Sequence, residues 1–233
     1  MSIAEKLTTI AENEQKVYDA GKKSQYDEFW DSFQENGNRT AYNQAFHFRG
    51  WTPENFKPKY NLQPTNAYQM FYNLGFDENT YIAWDLKTHL ESLGVTLDFS
   101  KATDMRYCFQ NAKFTRLGVI DLSSAKNNVN TIFSNVYWLK SIEKLIVNKD
   151  NVFDNYGFSN CYATHVIFEG ALGSNIIYKT VALDEASVKS LLSILVDYSG
   201  AGETRTLTLH ADAKARLSEV DIAIATQKGW TIA

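Results

Sequence analysis

The chain has 233 residues, 44% of them hydrophobic and 14% aromatic, which supplies a sizeable core and excludes global disorder. Its 23 Lys and Arg against 27 Asp and Glu are dispersed, giving a net charge of −4 and no clustered basic footprint for nucleic acid. No apolar run approaches the roughly 18 residues that a membrane-spanning helix needs. The opening Met1-Ser-Ile-Ala-Glu-Lys-Leu also lacks the basic and apolar regions of a secretory signal.

Residues 1–35 read as helical. Ser2 is placed to cap, with Glu5 as its capping-box partner. Ile3, Leu7, Ile10 and Val17 follow as a thin a/d seam, interrupted at Glu14 and Gly21. So narrow a stripe is marginal alone, and it either packs on its own body or associates with copies of itself, for example as a trimer. Asn36-Gly37 is a turn signal. Residues 36–94 form an aromatic collar and N-terminal cap that holds all three prolines, Pro53, Pro58 and Pro64. Within it, Leu86, Leu90 and Leu93 have helical spacing and Gly94 stands as the stop.

Residues 95–180 carry internal repeats. Leu97-Asp98-Phe-Ser100 is echoed by Ile120-Asp121-Leu-Ser123, with the Asp positions 23 apart. Cys108-Phe109-Gln-Asn111 is echoed by Ile132-Phe133-Ser-Asn135 and Gly157-Phe158-Ser-Asn160, with the Phe positions 24 and 25 apart. Phe71-Tyr-Asn73 is a degenerate forerunner. A period of 20–29 residues is the signature of a leucine-rich repeat. The expected fold class is therefore α/β: a short leucine-rich-repeat solenoid with parallel strands, an N-terminal helix and an α/β C-terminal cap. Strands are expected at Thr96–Phe99, Gly118–Leu122, Lys144–Val147 and His165–Phe168. Phe109, Phe133 and Phe158 should stack as an internal column, and Asn111, Asn135 and Asn160 should form a buried amide ladder. The third repeat departs from the pattern, with Ile146-Val147-Asn148 where Asp is expected. Cys108 and Cys161 are expected as buried free thiols.

Residues 181–233 read as the cap. Asp184 begins an amphipathic helix over Ala182–Ser199, with Val188, Leu191, Leu192 and Leu195 inward and Gly200 and Gly202 ending it. Thr206–His210 alternates as a strand, and Ser218 and Asp221 have capping-box spacing for a second helix through Ile222 and Ile224. Gly229 stops it, and Trp230-Thr-Ile232 is a last strand.

Catalytic and metal motifs are missing. His47, His89, His165 and His210 have no ligand spacing, although His165 and His210 could share a sheet face. Phosphate-loop, zinc-protease and nucleophile-elbow patterns are absent. Gly170-Ala-Leu-Gly173 reads as a turn, and Asp27-Glu28 and Asp184-Glu185 as solvated or capping carboxylates. No cofactor is expected.

The Asp-Phe/Leu-Ser strands combined with Phe-x-Asn segments resemble the bacterial surface-antigen (BspA-type) leucine-rich repeats. The closing Leu183–Ile232 run is similar to the ends of such proteins from gut bacteria and their phages. The opening, with Tyr26-Asp-Glu-Phe-Trp30 and Phe56-Lys-Pro58-Lys-Tyr60, resembles phage structural proteins. The resemblance implies a non-enzymatic virion component, of tail, fibre or capsid-decoration type, that contacts other virion proteins or a host-surface protein or glycan. The alternative is a bacterial cell-surface or secreted adhesin. Arg106, Tyr107, Tyr137 and Tyr162 are the contact candidates, being Tyr and Arg between the regular positions. Ile3, Leu7, Ile10 and Val17 are the candidates for self-association or attachment.

Overall fold

The computed structural model describes residues 52–74, 83–126, 128–153 and 155–233. The N-terminal helix with Ser2, Glu5, Ile3, Leu7, Ile10 and Val17, the Asn36-Gly37 turn and His47 lie outside the described residues.

Two parallel sheets carry the described chain. The first runs in chain order through β1 (Trp84–Asp85), β2 (Phe114–Asp121), β3 (Ser141–Val147) and β4 (His165–Gly170). The second runs through β5 (Ile176–Tyr178), β6 (Arg205–Leu209) and β7 (Trp230–Ile232). Helix α1 (Leu86–Ser92) follows β1, and α2 (Glu185–Ser193) packs on β4. A four-residue helix α3 (Ala211–Lys214) and α4 (Glu219–Gln227) separate β6 from β7. A continuous apolar core runs from Phe56 to Trp230.

The strands β2 and β3 start earlier in the chain than the alternation predicts, whereas β4 starts at His165 as expected. Thr96–Phe99 does not join the sheet. Leu97 makes an isolated parallel bridge with Leu62, Leu62 donating to the Thr96 carbonyl and Asp98 to the Leu62 carbonyl, both at 2.8 Å. Helix α1 also packs against β2.

Opposite the sheet, the chain returns through residues 69–74, 107–112, 131–136 and 156–161 in a regular succession of turns. Alternate amides close the turns locally, as Gln110 to the Tyr107 carbonyl and Ala112 to the Phe109 carbonyl, at 3.1 and 3.0 Å. The intervening amides donate to the next pass of chain. Phe71, Phe109 and Phe133 reach the carbonyls of Cys108, Ile132 and Gly157 at 2.9, 3.1 and 2.9 Å. Asn73, Asn111 and Asn135 likewise reach Gln110, Ser134 and Ser159 at 3.1, 3.0 and 2.8 Å.

Such a run needs left-handed residues. Asn73, Asn111, Asn135 and Asn160 have φ of 56°, 58°, 59° and 53°. Asn tolerates that region better than other residues that carry a Cβ. This corrects the buried-amide expectation: Asn111, Asn135 and Asn160 are half-buried, and their backbone conformation rather than a buried side chain selects them. Among the described residues the fully buried asparagine is Asn151, whose amide donates to the Leu122 and Lys126 carbonyls at 3.2 and 2.5 Å.

The aromatic column forms as expected and is longer. Phe71–Phe109, Phe109–Phe133 and Phe133–Phe158 stack at 5.5, 5.4 and 5.4 Å, and Tyr178 continues from Phe158 at 5.0 Å. Each such pair adds about 0.5–1.5 kcal/mol beyond area burial. On the third side of the body, Asp98 and Asp121 accept from the amides of Ser100 and Ser123, each at 2.8 Å. Asn148 does the same for Asp150 at 2.9 Å, so the missing Asp of that repeat is replaced in its role.

The last edge of the first sheet is closed by side chains. The amides of Val166 and Phe168 on β4 donate to the hydroxyls of Ser187 and Ser190, 2.8 and 3.0 Å away on α2. Asp184 caps α2 by accepting from the Ser187 amide and hydroxyl at 2.8 and 2.6 Å. Val188, Leu191 and Leu192 are buried as predicted, but the helix stops at Ser193 instead of Ser199. The reason is a second bridge: Leu172 donates to Ile194 and Val196 to Leu172, which takes Leu195 out of the helix. Gly170 and Gly173 let this segment approach its neighbour, since a Cβ there would stand 2.1 and 2.3 Å from the carbonyl oxygens of Val147 and Lys149. The Ser218–Asp221 capping box is present, and α4 buries Ala225 while exposing Val220, Ile222 and Ile224.

The left-handed role of the asparagines has a direct test by urea denaturation. Asn111→Gly should cost less than about 1 kcal/mol, since glycine takes positive φ without a Cβ penalty. Asn111→Val should cost about 1–2 kcal/mol more. Equal losses for the two would restore the amide-ladder account. At the sheet edge, Ser187→Ala and Ser190→Ala should each cost about 1–3 kcal/mol by leaving a strand amide unsatisfied. Amide exchange at Val166 and Phe168 should rise selectively.

Candidate functional site

The turns that lead into β3 and β4 each present one residue outward, four places after the column Phe. Tyr137 and Tyr162 do so in successive passes, whereas the equivalent residue of the earlier pass, Lys113, is buried. Tyr137 and Tyr162 are 52% and 43% exposed, and their ring centroids lie 6.0 Å apart. The Tyr137 hydroxyl donates to Asn135 Oδ1 at 3.2 Å. Asn160 Nδ2 donates to that same oxygen at 2.8 Å and to the Tyr137 hydroxyl at 3.4 Å. The left-handed asparagines therefore also fix the first tyrosine from below.

Trp138 joins the patch at 47% exposure. Counting from the column Phe, it aligns with Phe114 and Ala163, both buried, and so has the register of a core residue. The strand pairing shows why it is not. Leu117 pairs with Ile142, and Ile142 with Val166. Those residues stand eight, nine and eight places after their Phe. The middle pass has one extra residue, Leu139 takes the core position, and Trp138 is turned out.

Large aromatic side chains are mostly buried on average, so three exposed together are unusual. Together they offer flat apolar faces with amide and hydroxyl groups beside them.

Arg106 and Tyr107 lie elsewhere, at the start of an earlier return segment. Arg106 Nε and its terminal nitrogen donate to the two Asp104 oxygens at 3.0 and 2.6 Å, and its guanidinium lies 5.2 Å over the Tyr68 ring. Tyr107 is half-buried, has φ of 59°, and meets Tyr68 edge-on at 5.8 Å. The structure thus divides the four sequence candidates into an exposed tyrosine pair and a self-satisfied packing cluster.

The remaining reactive side chains are structurally engaged. His165 Nδ1 lies 2.7 Å from Asp184 Oδ2, and His210 caps α3 by accepting from Asp212. His165 begins β4 of the first sheet, while His210 lies just past β6 of the second and outside any strand, which corrects the shared-face expectation. His89 Nε2 contacts the Phe56 carbonyl at 2.6 Å. No group of three or more His, Cys, Asp or Glu is placed to hold a metal among the described residues. Cys108 and Cys161 are free and buried, as expected. Burial pushes the Cys161 thiol up to about 11 and Cys108 well above its ordinary value.

Comparison of the chain with protein-family models, with curated proteins and with solved structures finds no match.

If the patch is a recognition surface and not a packing element, it should be removable. Tyr137→Ala and Tyr162→Ala should each change stability by about 0.5–1 kcal/mol, whereas Phe133→Ala should cost about 3–5 kcal/mol. Urea midpoints and the near-ultraviolet dichroism of the variants measure this difference.

The Asp184 linkage is testable by pH. Burial works to raise this carboxyl, but the bonds from Ser187 and His165 outweigh it and hold it below the usual carboxylate value. Its stabilisation is present above the ordinary aspartate pKa of about 4 and is lost as pH falls through the lower folded value. Asp184→Asn should therefore flatten the acid limb of the stability curve, which urea midpoints measured across about pH 2–5 would show.

Proposed function

We propose that the chain is a non-enzymatic binding protein of a phage particle, in the tail, a fibre or a capsid decoration. In this reading it is a short leucine-rich-repeat solenoid of the bacterial surface-antigen type. The period of 23–25 residues, the strands paired in chain order and the stacked phenylalanine column support that architecture. The observation that carries the function is the outward-facing Tyr137, Trp138 and Tyr162, which a stability-optimised stack would bury or replace. The patch is the contact surface for a host or virion component. The stripe Ile3, Leu7, Ile10 and Val17 is the attachment or self-association element.

The test has two arms. Purified particles should contain the protein at a copy number that is a multiple of three or six. Particles carrying the Tyr137→Ala, Trp138→Ala and Tyr162→Ala substitutions together should assemble but adsorb to host cells at least about tenfold less, as loss of a hot-spot cluster implies. Absence from particles combined with presence on uninfected cells would replace this reading with that of a bacterial adhesin.

A further inference from the structure

The two edges of the first sheet are finished differently. Strand β4 has its outward amides bound by Ser187 and Ser190. At the other end, β1 contributes two residues, and its pairing with β2 extends through Phe114 and Arg116. Beyond that point Gly118–Asp121 have β3 on one side and no strand partner on the other, among the described residues.

Beside that open stretch lies a cleft of about 390 Å³. Every residue from Leu117 to Asp121 lines it, without a gap. Successive side chains of a strand point to opposite faces, so consecutive residues share one cavity only along the strand's edge. The opposite walls are α1, through Leu90 and its neighbours, and the extended segment Val95–Phe99. Apolar contributions from Leu90, Val95, Leu97, Val119 and Ile120 line the cleft, and Val119 is exposed to solvent. The charged groups are unbalanced: the carboxylates of Glu91, Asp98, Asp121 and Glu143 against the Lys87 ammonium, which is itself paired with Glu91 and Glu143.

We propose that this cleft is a β-augmentation site, in which an extended segment of a partner protein, with Lys or Arg among alternating apolar residues, adds beside Gly118–Asp121. Main-chain hydrogen bonds to the free edge would provide the grip, and alternate side chains would enter the apolar cleft. The surplus of carboxylates selects a basic segment over an acidic one. Four residues of strand span about 13 Å, so a core of four to six residues is the natural length. The site is separate from the aromatic patch, and neither depends on the other.

The experiment uses the full chain and a capped synthetic hexapeptide, Lys-Val-Thr-Val-Lys-Val, with an N-methylated analogue of the same charge. Amide exchange by NMR is followed at Gly118–Asp121. In the free protein the amides of this stretch that face away from β3 should exchange quickly, and the peptide should slow them by about tenfold or more. The N-methylated analogue should bind at least about tenfold more weakly, because it lacks edge donors. Glu91→Lys combined with Glu143→Lys should weaken the peptide several-fold while leaving the thermal midpoint within about 2 °C. Full protection of these amides in the free protein would overturn the proposal, since the edge would then be filled by this chain. Protection that grows with protein concentration would overturn it in favour of a second copy. Equal binding of the N-methylated analogue, or no binding of either peptide, would also refute it.

Discussion

The alternation of amides along the return segments is the constraint on which the rest depends. One amide closes a local turn and the next crosses to the following pass, so neither is left over in a region with no sheet. Buried backbone donors must find partners, and this arrangement satisfies them without a strand. It requires left-handed residues at fixed intervals, which sets where Asn stands, and it places the column Phe between two crossing amides. The ring spacing of 5.4 Å between Phe109 and Phe133 follows from that geometry, being somewhat wider than the strand spacing of about 4.8 Å on the opposite side.

A stack of this kind has to stop, and hydroxyl side chains stop it here. Ser187 and Ser190 take the last sheet amides, and Thr180 Oγ1 accepts from the Asn160 amide at 3.1 Å where the crossing ladder would otherwise run on. All three are short side chains that accept without needing a further strand. Helix α2 supplies two of them three residues apart, on the face that also buries Val188 and Leu191. An exposed sheet edge invites pairing with other chains. The hydroxyls remove that hazard at one end, and the contrast with the open stretch of β2 is sharp because both edges belong to the same sheet.

Much of this was legible in the sequence where one residue type serves one purpose. The phenylalanine column, the caps at Asp184 and Ser218, the stop at Gly94 and the two free thiols all follow from spacing or residue chemistry. Three features escaped it for physical reasons. Asn111, Asn135 and Asn160 were read through their side chains, while their backbone dihedrals are what the fold selects, and a repeat pattern does not distinguish the two. Thr96–Phe99 has strand alternation, but its bridge is to Leu62 and not to β2. Trp138 carries a core register by count, and a single inserted residue before Leu139 turns it out. The tyrosine pair was visible as a candidate, but the tryptophan that completes the patch was not.

That inserted residue connects the fold to the exposed aromatic patch. Along the passes, the position four places after the column Phe is not held to one environment: Lys113 is buried there, while Tyr137 and Tyr162 are exposed. In the pass through β3 the extra residue lengthens the turn without disturbing Val136, Leu139 or Ile142, all of which stay buried. The sheet register absorbs the change, since Leu117, Ile142 and Val166 remain aligned. A rigid stack can therefore accept an addition at a turn at little cost to packing, because the ladder on one side and the sheet on the other are anchored independently. Displaying a tryptophan at such a turn gains contact area without sacrificing core, and the neighbouring tyrosine is held by the asparagine ladder that the backbone already requires. Exposed patch and scaffold thus draw on the same residues at Asn135 and Asn160, which hold the Tyr137 hydroxyl without dedicated support.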